Sequence, residues 1–123
     1  MTDAAPLRVL IVDDSRDDAE LTELALRDAG IPVEVRREYG ESGLVDALRE
    51  FQPQLLLSDV NIPGFSGAEA MHLTRAMRPG VPVVFLTGSA IGAPGEELPE
   101  GDALVFKDEL ELLPDVVRRL VGA

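Results

Sequence analysis

Cysteine is absent from the 123 residues. Thiolate chemistry, disulfides and cysteine-type zinc sites are therefore excluded, and the absence fits a reducing compartment. Basic residues are scarce, 11 Lys and Arg against 23 Asp and Glu, for a net charge of −12. That balance argues against a nucleic-acid partner, which asks for a Lys/Arg-rich face that displaces counterions from phosphates. Most of the acids need mean no more than solubility. No apolar run approaches the length of a bilayer span. The first residues, MTDAAPLR, lack the basic start and apolar stretch of a signal peptide. These absences predict a soluble, cytoplasmic chain with no membrane partner. The one histidine, His72, falls off the apolar face of its helix and reads as a solvated side chain.

The length suits one compact domain over residues 1–123, large enough to bury a core without disulfides or structural zinc. Short apolar, β-branched runs alternate with helix-like stretches. LRVLIV (7–12) reads as a buried strand. Ser15 follows as an N-cap, with Asp18 three residues on as the acid of a capping box. The helix through AELTELALRDA stops at Gly30 and Pro32. VEVRRE (33–38) alternates as an edge strand does, and Ser42 opens a second helix that Pro53 closes. QLLLSD (54–59) is apolar on both faces and so central. NIPGFSG (61–67) reads as a loop by its proline and glycines. Ala70, Leu73, Thr74 and Met77 share a face of the third helix. PVVFLT (82–87) and ALVF (103–106) are the fourth and fifth strands, and Leu113, Val116, Val117 and Leu120 form a last helical stripe. The fourth helix, between Thr87 and Ala103, is expected to be short or irregular, because Gly92, Pro94, Gly95 and Pro99 interrupt it.

Five strands alternating with helices imply an α/β fold, a parallel sheet covered on both faces with right-handed crossovers. For so short a chain the doubly wound, flavodoxin-like order 2-1-3-4-5 is expected, with ligands beyond the strand carboxyl ends between strands one and three. Asp13, Asp14, Asp59, Thr87 and Lys107 all stand at those ends. Two unit charges about 5 Å apart repel by about 3 kcal/mol at an effective dielectric of about 20. Lys107 offsets part of that cost, and a hard divalent cation offsets more. All-oxygen ligation with open positions favours Mg²⁺ over zinc. A carboxylate, a cation, a lysine and a hydroxyl around one cavity are equipment for phosphoryl transfer. Asp59 would be the nucleophile, Lys107 would neutralise transferring charge, and Thr87 would donate to the new phosphoryl group. Ser15 reads as a cap rather than a catalytic hydroxyl. The glycines of GSAIGAPG follow no phosphate-binding spacing.

The DD pair after strand one, SDVNIPGFSG around Asp59, the Thr87-Gly88 pair and Lys107 after strand five together resemble the receiver domain of two-component response regulators. The resemblance runs over nearly the whole chain. It implies that Asp59 accepts a phosphoryl group from the phosphohistidine of a sensor histidine kinase. It also implies that Asp13, Asp14, Asp59 and the backbone carbonyl of Asn61 hold Mg²⁺. The stretches DDAELTELALRDAG, IPGFSG and FKDEL look most like receivers that work beside sensor histidine kinases rather than DNA-binding regulators. Three features depart from the pattern. Leu104 stands where a switch aromatic is common, so coupling to Thr87 would be absent or would run through Phe106. Asp108 replaces the proline that often follows the lysine, and a trans peptide is expected there. The interrupted fourth helix is the third departure. Leu110, Leu112, Leu113, Val116, Val117, Leu120 and Val121 cover more than one helix face, and a homodimer or kinase-docking surface would use the excess. Two other functions fit the residues less well: a pseudo-receiver acting as an interaction or dimerisation module without phosphorylation, and an aspartyl-nucleophile phosphohydrolase. The latter lacks a segment to cap a substrate.

Overall fold

The computed structural model describes residues 5–62, 64–88 and 101–122. The elements run β1 (Leu7–Val12), α1 (Arg16–Asp28), β2 (Val33–Glu38), α2 (Glu41–Glu50), β3 (Leu55–Asp59), β4 (Asn61–Ile62), β5 (Phe65–Ser66), α3 (Gly67–Met77), β6 (Val83–Thr87), β7 (Ala103–Phe106), a 3₁₀ turn (Lys107–Leu112) and α4 (Leu113–Val121). The main sheet is five-stranded and parallel in the order β2-β1-β3-β6-β7. Counting only its own strands, that is 2-1-3-4-5, the doubly wound order. The expected fourth helix lies on residues outside those described.

Period-two alternation sorts each central strand between two cores. Val9 and Ile11 of β1, Leu55 and Leu57 of β3, and Val84 and Leu86 of β6 pack with α1 and α4 through Ala19, Leu26, Leu113 and Val117. Their neighbours Leu10, Val12, Leu56, Val83 and Phe85 pack on the other face with Leu44, Ala47 and Leu48 of α2 and Ala70 of α3. Both faces are dry, so the strands read as continuous apolar runs. The Phe85 ring is gripped at two edges. A Cβ at Gly67 would stand 2.9 Å from its Cε1, and one at Gly101 would stand 2.8 Å from its Cδ2.

Several local expectations shift. The second helix begins at Glu41, with Gly40 as N-cap and Ser42 already inside it. Gly40 is fully extended, and its carbonyl accepts the Leu44 N–H at 3.0 Å. Glu41 supplies the first-turn negative charge that suits the helix dipole. Residues 61–67 are not a plain loop: Asn61 pairs with Ser66 and Ile62 with Phe65 in a small antiparallel hairpin. Burial of Ile62 and Phe65 holds it in place, and Gly64 supplies a positive φ of 76° at the turn. The apolar excess near the C-terminus has a simple origin. Leu110 and Leu112 belong to the 3₁₀ turn, so they are out of phase with the α4 stripe. Leu110, Val116, Leu120 and Val121 all pack on the core, which leaves Leu112 exposed. No described peptide bond is cis, that of Lys107–Asp108 included. Among the described residues no helix is long and apolar enough to cross a membrane.

Candidate functional site

The parallel sheet carries every strand's carboxyl end to one edge. There β1 delivers Asp13 and Asp14, β3 delivers Asp59, and β7 runs directly into Lys107. Asp13 is almost wholly buried, 1 % exposed, and its N–H continues the β1–β2 ladder by donating to the Glu38 carbonyl at 2.9 Å. The Asp13 carbonyl accepts from Arg37 Nη1 at 3.0 Å, and Asp13 Oδ1 accepts the Ser15 N–H at 2.9 Å. Main chain and side chain of Asp13 are thus both fixed before any ligand arrives. Asp14 is exposed and Asp59 is half-buried. One carboxylate oxygen from each of Asp13, Asp14 and Asp59 falls within a cluster no wider than 4.8 Å.

Lys107 is the chain's only lysine. Its Nζ donates to Asp18 Oδ2 at 2.8 Å, to Asp13 Oδ2 at 2.9 Å and to Asp59 Oδ2 at 3.0 Å. Burial works to lower the pKa of this ammonium. The hydrogen bonds to Asp18, Asp13 and Asp59, with the charge of Asp59, outweigh it, and the pKa is raised above the ordinary lysine value. Lys107 is therefore a fixed positive charge and no proton donor at neutral pH.

Asp18 is a contact that the sequence pattern concealed. Its spacing from Ser15 is that of the acid of a capping box, which reaches back to the Ser15 N–H. Half of that box exists: the Asp18 N–H donates to Ser15 Oγ at 3.2 Å. The other half is taken over by Asp13, which accepts the Ser15 N–H, and the Asp18 carboxylate turns to Lys107 instead. Both options are charge-assisted, but the bond to an ammonium carries charge on both partners.

Thr87 is buried at the end of β6. Leu86 is the register partner of Asp59, and Thr87 stands one residue further along, paired with Phe106 of β7. The residue at 104 is register partner of Phe85 rather than of Thr87, and Leu104 is partly exposed. Asn61 opens β4 two residues after Asp59. Gly67, at the start of α3, lets the helix start close to the Asp59 main chain. A Cβ there would lie 3.0 Å from the Asp59 carbonyl oxygen and 3.1 Å from Val60 Cα. His72 is exposed, as expected.

An oxygen-only donor set on three converging strand ends, one oxygen preformed in the core and another open to solvent, fits a small hard divalent cation. The sequence and the fold also match known proteins. The response regulator receiver domain family matches residues 9–97. The chain belongs to that family. The receiver is 36% identical over 85 residues to a probable transcriptional regulatory protein, TcrX, of Mycobacterium tuberculosis, covering 69% of this chain and 36% of that protein. It is 32% identical over 84 residues to the cell cycle transcriptional regulator CtrA of Caulobacter vibrioides, covering 68% and 36%. The chain thus spans about a third of the length of these relatives. Both are named as transcriptional regulators, so the expected likeness to receivers that work beside sensor kinases finds no support in them. Among solved structures, a response regulator from Chloroflexus aurantiacus superposes with a TM-score of 0.78 at 26% identity, over 97% of this chain and all of that one. A CheY-like receiver domain protein from Methanospirillum hungatei gives 0.70 at 27%, over 96% of each chain. The receiver is thus a two-component signalling module rather than a classical enzyme, of the kind that partners histidine kinases. Its Asp13/Asp14/Asp59 cluster with Lys107 fits a phosphoacceptor.

Proposed function

We infer that this receiver takes a phosphoryl group onto Asp59 from the phosphohistidine of a sensor histidine kinase in the cytoplasm, as a single domain over 1–123. The observation that carries this reading is the Lys107 ammonium, hydrogen-bonded at 3.0 Å to a half-buried Asp59 carboxylate beside Asp13 and Asp14. Asp59 is oriented for attack by that bond. Lys107, charged at all physiological pH, answers the negative charge that gathers on the transferring oxygens. Asp13, Asp14, Asp59 and the Asn61 carbonyl would hold Mg²⁺. When bound, that ion supplies further charge neutralisation for the phosphoryl group. Thr87, at the neighbouring strand end, is the hydroxyl in reach of a group added to Asp59, with Phe106 as its strand partner for passing the change outward. Of the apolar residues that suggested a homodimer or kinase-docking surface at the last helix, only Leu112 is left exposed.

Intact-protein mass spectrometry after incubation with acetyl phosphate tests it, with and without Mg²⁺, on wild type and Asp59→Asn. A single phosphoryl adduct that needs both Mg²⁺ and Asp59 supports the reading. An adduct of equal yield on Asp59→Asn sinks it. No adduct from acetyl phosphate or from a phosphorylated kinase would favour a silent interaction module.

A further inference from the structure

Asp18 belongs to the acceptor set of Lys107 but not to the carboxylate cluster formed by Asp13, Asp14 and Asp59. A lysine ammonium carries three N–H donors, and here Asp13, Asp18 and Asp59 engage them all. The contact to Asp18, at 2.8 Å, is the shortest. Asp18 sits in the first turn of α1 with its main chain held twice. Its N–H donates to Ser15 Oγ, and its carbonyl accepts from Thr22 Oγ1 at 2.9 Å. A carboxylate on so firmly held a turn, meeting a lysine 89 residues away in sequence, acts as a strut between α1 and the end of β7.

We propose that Asp18 is a positioning residue for phosphoryl transfer, holding Lys107 Nζ beside Asp59 throughout the reaction. This rests on the reading of Asp59 as phosphoacceptor. With acetyl phosphate as donor, an Asp59 carboxylate oxygen forms a bond to phosphorus. The bond from phosphorus to the acetate oxygen breaks, and acetate leaves with that electron pair; no proton is exchanged. Asp59 thereby ceases to be a free carboxylate, and Asp13 is shared with the cation cluster. Two of the three acceptors of Lys107 therefore change character during turnover. Asp18 keeps its charge and its place, so Lys107 retains one fixed hydrogen bond while its other N–H groups follow the transferring oxygens.

Asp18→Asn removes the charge with little change of shape, and Asp18→Glu restores it on a longer arm. Phosphoryl uptake is followed by intact mass over a range of acetyl phosphate concentrations with Mg²⁺. The saturating rate of Asp18→Asn is expected to fall about tenfold, as for loss of orientation, with little change in the half-saturating concentration. Asp18→Glu recovers most of the rate. Because Lys107 is the only lysine, ¹³C-lysine labelling gives a single Cε resonance whose relaxation reports order in that side chain without any chemistry. That order is expected to fall in Asp18→Asn both with and without Mg²⁺, in a protein that remains folded by circular dichroism. An unchanged saturating rate, equal losses in the Asn and Glu variants, or an equally ordered Lys107 in Asp18→Asn overturns the proposal. If wild type takes up no phosphoryl group from acetyl phosphate or from a phosphorylated kinase, the phosphoacceptor reading fails on its own, and the Lys107 resonance alone decides whether Asp18 anchors the lysine.

Discussion

Gly67 lies directly against the main chain of Asp59: a methyl group on its Cα would stand 3.0 Å from the Asp59 carbonyl oxygen and 2.9 Å from the Phe85 ring. Neither neighbour can yield easily, one being backbone at a strand end and the other a fully buried ring. Gly67→Ala is expected to cost about 1–3 kcal/mol of stability by overpacking. It is also expected to slow phosphoryl uptake by about tenfold or more, because Asp59 moves. Urea denaturation beside acetyl phosphate labelling checks both. A variant that keeps wild-type stability and rate would show that the contact is slack.

Lys107 has its pKa raised by Asp18, Asp13 and Asp59 against the opposing effect of burial. A group whose folded pKa lies above the unfolded one stabilises in full below the unfolded value and loses that contribution as pH rises through the folded value. The stability gap between wild type and Lys107→Gln in Mg²⁺-free buffer should therefore stay constant from pH 7 up to the ordinary lysine value of 10.5. It should close only above it. Denaturation at a series of pH values measures the gap, and closure near pH 9 would contradict the three-acceptor arrangement.

The carboxylate cluster predicts a Mg²⁺-dependent rise in thermal stability. At a concentration about ten times Kd, binding to the folded state adds about 1.4 kcal/mol, a Tm increase of about 5 °C for a chain of this size. Asp14 is exposed, so Asp14→Asn should fold normally and lose most of that increase. Its Mg²⁺-free form should be no less stable than wild type, since one repulsive charge is gone. Scanning calorimetry with and without Mg²⁺ decides it, and an undiminished shift in Asp14→Asn would exclude that residue as a ligand.

Ser15 accepts the Asp18 N–H at 3.2 Å as the N-cap of α1. Ser15→Ala should cost about 1 kcal/mol and leave the phosphoryl adduct on Asp59 intact. Complete loss of labelling in a folded Ser15→Ala protein would give the hydroxyl a chemical role instead of a structural one.

Most of the sheet was legible because the central strands are apolar on both faces: LRVLIV and LLLSD admit little besides burial. The site was legible for a related reason. Charged residues ending such strands have one edge to go to, so the strand pattern alone puts Asp13, Asp14, Asp59 and Lys107 together. It does not put Asp18 there, because its local pattern with Ser15 already has a satisfying explanation and its true partner lies across the chain. The hairpin at Asn61–Ser66 was missed because two-residue strands leave no periodicity to count. The cap of α2 is Gly40 rather than Ser42: a serine is the better cap by preference, yet the extended glycine supplies the turn and Glu41 the charge.

The Phe85 ring, fitted between Gly67 and Gly101, joins three positions far apart in sequence into one shared volume. The order in which substitutions can accumulate follows from it. Alanine at 67 or at 101 meets that ring and also backbone, the Asp59 carbonyl in the first case and the Val83 carbonyl in the second, so Phe85→Leu relieves only the ring's share of either clash. Paired with either alanine, it should recover part of the stability that the alanine alone loses, the backbone contacts keeping the rest. Among descendants of this sequence, large residues at 85 and small ones at 67 and 101 should therefore be inherited together. Because Gly67 also bears on the Asp59 carbonyl, that joint inheritance links the packing of the sheet's inner face to selection on its signalling edge.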